Sequence, residues 1–203
     1  MEDIRGKRIG FAMTGSFCTI DLVLPWMQEL VDLGADVIPI FSTHVGQMDT
    51  RFHPAQIVRQ KVIAICGKEP IETIQQAEPI GPQKLLDMVL IAPCTGNTMA
   101  KLANAITDTP ALMAAKSHLR NGRPVLLAIA TNDGLSANAR NLGQLLNAKH
   151  IYFVPFGQDG HAVKANSIQS HFARIPAAVA AALEERQLQP LLLGPGECLK
   201  ETV

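Results

Sequence analysis

Short apolar runs alternate along the chain with longer segments whose apolar positions recur every three or four residues. Runs at residues 8–13, 36–40, 87–91, 124–130 and 151–154 predict strands, and the stretches 19–33, 54–65, 98–104, 110–119 and 138–147 predict helices. Several of the runs, "MVLIA" and "VLLAIA" among them, are apolar without alternation, as expected of parallel strands covered on both faces. Regular strand–helix alternation over short connections predicts an α/β fold with a single doubly wound parallel sheet, a flavodoxin-like three-layer sandwich. In the first helix, Leu22, Val23, Trp26, Leu30 and Leu33 form an apolar stripe, and Gly34 stands where a left-handed residue would end it. A last helix is expected within 174–188. The tail after it, broken by Pro190 and by Gly194-Pro195-Gly196, should add a short strand and then fray.

A length of 203 residues suits one sizeable domain. Without repeats or linkers, the expected organisation is a single domain over 1–203, with a core from about 7 to 156 and a C-terminal helix and tail over 165–203. Lys plus Arg equals Asp plus Glu, 18 against 18, so no basic excess is available for a nucleic-acid backbone or an anionic membrane. No apolar stretch approaches the roughly 20 residues of a membrane helix, and the N-terminus lacks a signal-peptide core, which predicts a cytoplasmic protein. Cys18, Cys66, Cys94 and Cys198 are scattered without a CxxC pair, so neither disulfides nor a zinc site are expected.

In an open parallel sheet, ligands sit beyond the carboxyl ends of the strands. The segments following the predicted strands carry Thr14, Gly15 and Ser16; Ser42 and Thr43; Thr95, Asn97 and Thr98; and Asn132 with Asp133. Hydroxyls and amides thus gather at one edge of the sheet with almost no Lys or Arg, as suits a phosphate held by backbone N–H groups, hydroxyls and a helix dipole. The P-loop pattern fails, since Phe17 rather than Lys follows Gly15-Ser16. The dinucleotide fingerprint fails too, with only Gly10 and Gly15 after the first strand. Alone, "TGS" is equally a tight turn or an anion site; the company of similar loops favours the ligand.

The segment "LIAPCTGNTMAKLANAITDTPALMAA" (90–115) resembles the flavoprotein fold shared by flavin-dependent cysteine decarboxylases, a likeness running from about residue 7 to 156. It implies FMN as cofactor. Its phosphate would lie on the Gly-Ser turn after the first strand, where Ser16 would offer hydroxyl and backbone N–H, and the loop with Thr95 and Asn97 would lie against the cofactor. "GKRIGF", "AEPIGPQ", "TDTPALMAAK", "LRNGRPVLLA", "TND" and "HIYFVPFGQDG" are similar, more narrowly, to the flavoprotein-fold subunits of the two-component synthases that make pyridine-2,6-dicarboxylate in spore-forming bacilli. That resemblance implies a dehydrogenase-like partner, the A subunit, in the mother cell, and oxidation of a dihydropyridine dicarboxylate. The electron acceptor would be a flavin here or a nicotinamide cofactor on the partner. The decarboxylases' catalytic His is absent from "QAEPIGPQKLLD", and only Asn132 matches their Pro-x-Met-Asn loop, which argues against decarboxylation of a peptidyl cysteine.

Two alternatives stay open: a silent scaffold for the partner's active site, and an independent flavin-dependent decarboxylase. Arg51 is the evident candidate to clamp a substrate carboxylate, and a solvated loop explains it, His44 and His53 equally well. Cys94 without a visible base is better explained as a buried thiol than as a nucleophile, and Asp133 suits either proton chemistry or a turn. Lys101 is expected at the surface or an interface. His118, His150, His161 and His171 show no metal spacing. Ala-rich faces at 111–115 and 177–182 suit a homo-oligomer or internal packing.

Overall fold

The computed structural model describes residues 4–194, so the end of the predicted tail, with Cys198, lies outside the described residues. The apolar runs are buried almost throughout, and alternate side chains point to opposite faces, which makes a covered sheet. On β1 (Arg8–Met13), Ile9, Phe11 and Met13 enter one core cluster and Ala12 the other. On β3 (Met88–Cys94), Met88, Leu90 and Ala92 face the first cluster, and Val89, Ile91 and Cys94 the second. β2 (Asp36–Phe41), β4 (Val125–Thr131) and β5 (Ile151–Phe153) complete a parallel set in the order β2-β1-β3-β4-β5. This is the flavodoxin-like order, with its switch point between β1 and β3.

Helices α1 (Ile20–Asp32), α3 (Ala55–Cys66) and α8 (Ile175–Leu183) pack on the first cluster. The second is covered by α4 (Ile74–Ala77), α5 (Gly96–Ala103), α6 (Pro110–Arg120) and α7 (Ala139–Leu146). Close layers demand small residues: a Cβ on Gly10 would stand 2.5 Å from the Leu86 side chain. Gly34 closes α1 at φ +87°, and Ala35 N–H reaches back to the Leu30 carbonyl, the Schellman arrangement expected there.

The structure corrects several expectations. The buried stripe of α1 is Ile20, Val23, Leu24, Met27 and Leu30, while Leu22 faces solvent. The last helix ends at Leu183 because polar Glu184, Glu185 and Arg186 follow, with Glu185 at φ +59°. One-turn helices at α2 (Thr43–Gln47) and α4 are too short to show a period. The sheet is not purely parallel. β6 (Phe156–Gly157) and β7 (Ile168–Ser170) pair antiparallel, and β7 joins the end of β4 beyond the point where β5 stops. In the tail, Leu192 forms an isolated bridge to Phe156.

Candidate functional site

The turn after β1 is built by Thr14. Its buried hydroxyl donates to the Pro93 carbonyl at 2.6 Å and accepts the Thr95 N–H at 3.1 Å, lacing the first loop to the third. Ser16 N–H bonds the Thr14 carbonyl at 2.7 Å, closing a tight turn around Gly15. The Ser16 amide, expected to meet a phosphate, is therefore already satisfied. A 3-10 turn (Phe17–Thr19) then runs into α1, and its first amides have no intrahelical acceptor. Among the described residues, the N–H groups of Gly15, Phe17 and Cys18 and the Ser16 hydroxyl are left without a protein partner.

The neighbouring loops are fixed by caps. Ser42 is the N-cap of α2, its Oγ accepting Val45 N–H at 3.4 Å. Between Ile91 and Cys94 the ladder slips by one residue, a bulge at Ala92-Pro93 where proline has no N–H to donate. Thr95 follows as N-cap of α5, accepting Thr98 N–H at 3.2 Å, with the two hydroxyls 3.0 Å apart. Beyond β4, Asp133 accepts the Thr131 hydroxyl at 2.5 Å and the Asn138 amide at 2.8 Å. That network organises the turn, and Asp133 lines neither of the two cavities at this edge. It also presses on Gly96, whose added Cβ would stand 2.5 Å from Thr131 Oγ1 and 2.7 Å from Asp133 Oδ1.

Two cavities open between these loops and share Gly15 and Thr95. The first, about 270 Å³, is lined by Thr14, Gly15, Phe17, Ser42, Thr95, Asn97 and Thr98, with His44, Lys101 and Thr109. Among the described residues no carboxylate lines it, and Lys101 is bonded to Asp108 at 2.6 Å. The second, about 240 Å³, lies between the loops of β1 and β4 and the segment before β7; Ser16, Asn132, Asp159, Lys164 and Ser167 are on its wall. Thr43 is exposed and lines neither cavity. Arg51 lines neither one, its guanidinium standing 4.9 Å from the Phe52 ring centroid. Burial pushes the Cys94 thiol up to about 12, so at neutral pH it is not a nucleophile.

Sequence reasoning missed Lys164 and Ser167, which lie in a polar stretch with no period, and Phe17 and Thr109, which have only general turn and cap chemistry. Among the described residues no cluster of three His, Cys, Asp or Glu side chains is placed to hold a metal, and no helix is long and apolar enough to cross a membrane.

Comparison with known proteins agrees with this architecture. The flavoprotein family pattern matches residues 1–174. The dipicolinate synthase B subunit of Bacillus subtilis (strain 168) is 47% identical over 193 residues, 95% of this chain and 96% of that one. The crystal structure of the corresponding B subunit from Bacillus halodurans superposes with a TM-score of 0.88 at 44% identity, covering 95% of this chain and 99% of that one. The FMN-dependent cysteine decarboxylase SpaF shares the fold at TM-score 0.61 and 18% identity, over 89% of this chain and 97% of its own. The sequence match, the shared fold and the loops at the carboxyl edge lead to one assignment: the chain belongs to the flavoprotein family, in the group of dipicolinate synthase B subunits.

Proposed function

We propose that this chain is the flavoprotein-fold subunit of a dipicolinate synthase. With the dehydrogenase-like A subunit, it oxidises a dihydrodipicolinate-level intermediate to pyridine-2,6-dicarboxylate in the mother cell during sporulation. The observation that carries this reading is identity of 47% spread over nearly the whole of both chains, rather than over a cofactor loop alone.

The first cavity fits an anionic, hydroxyl-bearing group such as FMN. Among the described residues the amides of Gly15 and Phe17 have no protein acceptor, they stand at the positive end of the helical run leading into α1, and no carboxylate opposes them. Ser42, Asn97 and Thr98 would supply the remaining polar contacts, and Thr14 and Thr95 keep the loops in register. The two-electron acceptor would be a flavin bound here or a nicotinamide cofactor on the A subunit. The decarboxylase alternative is not favoured, because likeness to those enzymes is confined to the fold. Homo-oligomerisation belongs to the same proposal, but not through the Ala-rich faces, whose Ala111, Ala114, Ala115, Ala178 and Ala182 are buried within the chain itself.

The test is reconstitution. The isolated chain should not form pyridine-2,6-dicarboxylate, and mixing with the A subunit should start its appearance in the ultraviolet. FMN titration of the chain should quench flavin fluorescence. Ser42→Asp should abolish that quenching by setting like charge against a phosphate, and since Asp caps a helix as well as Ser, circular dichroism should show the helices retained. Turnover by the isolated chain, or none by the mixture, would sink the two-component reading.

A further inference from the structure

A cation is the strongest side-chain partner a dicarboxylate substrate can find. Arg51 stands at neither cavity, and Lys101 on the first is engaged by Asp108 at 2.6 Å. Among the described residues lining the second cavity the cation is Lys164. Its backbone is fastened in place. Gly160 at φ +62° opens a turn in which Val163 and Lys164 N–H both bond the Gly160 carbonyl, at 2.9 and 2.8 Å. Gln158 Nε2 donates to the Ala165 carbonyl at 2.9 Å, and Leu135 N–H to the Asn166 carbonyl at 3.0 Å, which ties the turn to the loop after β4. Ser167 Oγ, in contact with Asp159 Oδ1 at 2.5 Å and the Thr131 carbonyl at 3.2 Å, closes the arrangement.

The ammonium itself is held far more loosely. Its protein partner is Asp159 Oδ2 at 3.4 Å, well beyond the length of a strong charge-assisted bond, and the Lys164 side chain is 55% exposed. Such a pair contributes little, so a ligand carboxylate can compete for it. The Ser16 hydroxyl, without a partner among the described residues, lines the same cavity and can donate to that carboxylate.

We propose that Lys164 receives a carboxylate of the substrate in the cavity between the β1 and β4 loops and the segment before β7, with Asp159 as the carboxylate it exchanges for that of the ligand. The proposal rests on the reading above for the substrate being a pyridine-type dicarboxylate. It predicts opposite signs for two variants that break the same ion pair. Calorimetric titration of the full chain with pyridine-2,6-dicarboxylate should show binding that pyridine-2,6-dimethanol, without charge, does not. Lys164→Gln should weaken it on the order of tenfold. Asp159→Asn keeps an acceptor for Ser167 and removes the rival charge, so it should tighten binding severalfold.

If Lys164 and Asp159 only staple the loop, both variants weaken binding or both leave it unchanged, and the proposal is overturned. It is overturned equally by a wild-type chain that binds no diacid either alone or with the A subunit. A reconstituted Lys164→Gln enzyme that makes dipicolinate with unchanged KM removes Lys164 and leaves the synthase reading standing. A mixture that makes none, beside an isolated chain whose diacid affinity moves oppositely in the two variants, removes the synthase reading and leaves Lys164.

Discussion

The two edges of the sheet use their polar groups differently. At the amino edge, polar groups are spent on one another. The Arg8 guanidinium meets Asp87 at 2.8 Å while its backbone N–H bonds the same carboxylate at 2.9 Å. The hydrogen bond and charge of the pair hold Arg8 up and Asp87 down from their ordinary values. Lys68 pairs with Asp36, Arg123 donates to the Leu86 carbonyl, and the helix ends are closed by left-handed Gly34, Gly67 and Gly122. At the carboxyl edge, side-chain hydroxyls are consumed as caps and struts, yet the amides of Gly15, Phe17 and Cys18 have no acceptor among the described residues. The difference follows from topology. In a parallel sheet the helices begin at the carboxyl edge, where unpaired N–H groups accumulate, and end at the amino edge, where carbonyls can be closed locally. One edge closes its polar groups on one another, and the other leaves amide donors open among the described residues.

The largest expected effect tests the amino edge under acid. His118, near the end of α6, is buried, and both its ring nitrogens lack a partner among the described residues. Burial first, and then Arg123, push its imidazole down to about 4, against the opposing pull of Asp87. The folded protein therefore holds His118 neutral while the unfolded chain protonates it near 6.5. Stability is full above about pH 6.5 and falls by roughly 3 kcal/mol on acidification to about pH 4, below which this group adds no further loss. Urea unfolding across that range should show the decline. His118→Leu should flatten it without loss at pH 7, since no hydrogen bond is given up. An equally steep decline in the variant would assign the acid sensitivity to other groups.

Next in size is the locking of the carboxyl-edge loops. Gly96→Ala drives a methyl against Thr131, Asn138 and Asp133, and should cost about 1–3 kcal/mol in urea while weakening FMN. An unchanged midpoint would mean that the loops yield and are not preorganised. The smallest effect is Asp87→Asn at the opposite edge. Its pair with Arg8 is partly exposed, so the loss in urea should be the smallest of the three, with FMN titration unaltered. A matching loss of FMN affinity would break the separation of the two edges.

Much of the fold was legible because it is local. The apolar runs of β1 to β5, the Gly34 stop and the Thr-rich starts of the helices are each set by a few consecutive residues. The carboxyl-edge membership of Gly15, Ser42, Asn97 and Asn132 followed from parallel strands alone. The site's wiring was not legible. Ser16 loses its amide to Thr14 through a turn whose geometry no motif announces, and Arg51 lies beside Phe52 rather than on either cavity.

By itself, the sequence determined the order of strands and helices, the sign-neutral surface and the family, because periodicity, composition and matching segments are properties of the linear chain. The tertiary structure alone decided which polar groups are already satisfied. Thr14 meets Pro93 and Thr95 across about eighty residues, and Lys164 comes to the cavity of Ser16 only because β7 turns back, antiparallel, onto the end of β4. Hydrogen-bond partners and cavity walls are chosen through space, and side chains of the same type differ in chemistry according to whether a distant backbone has reached them first.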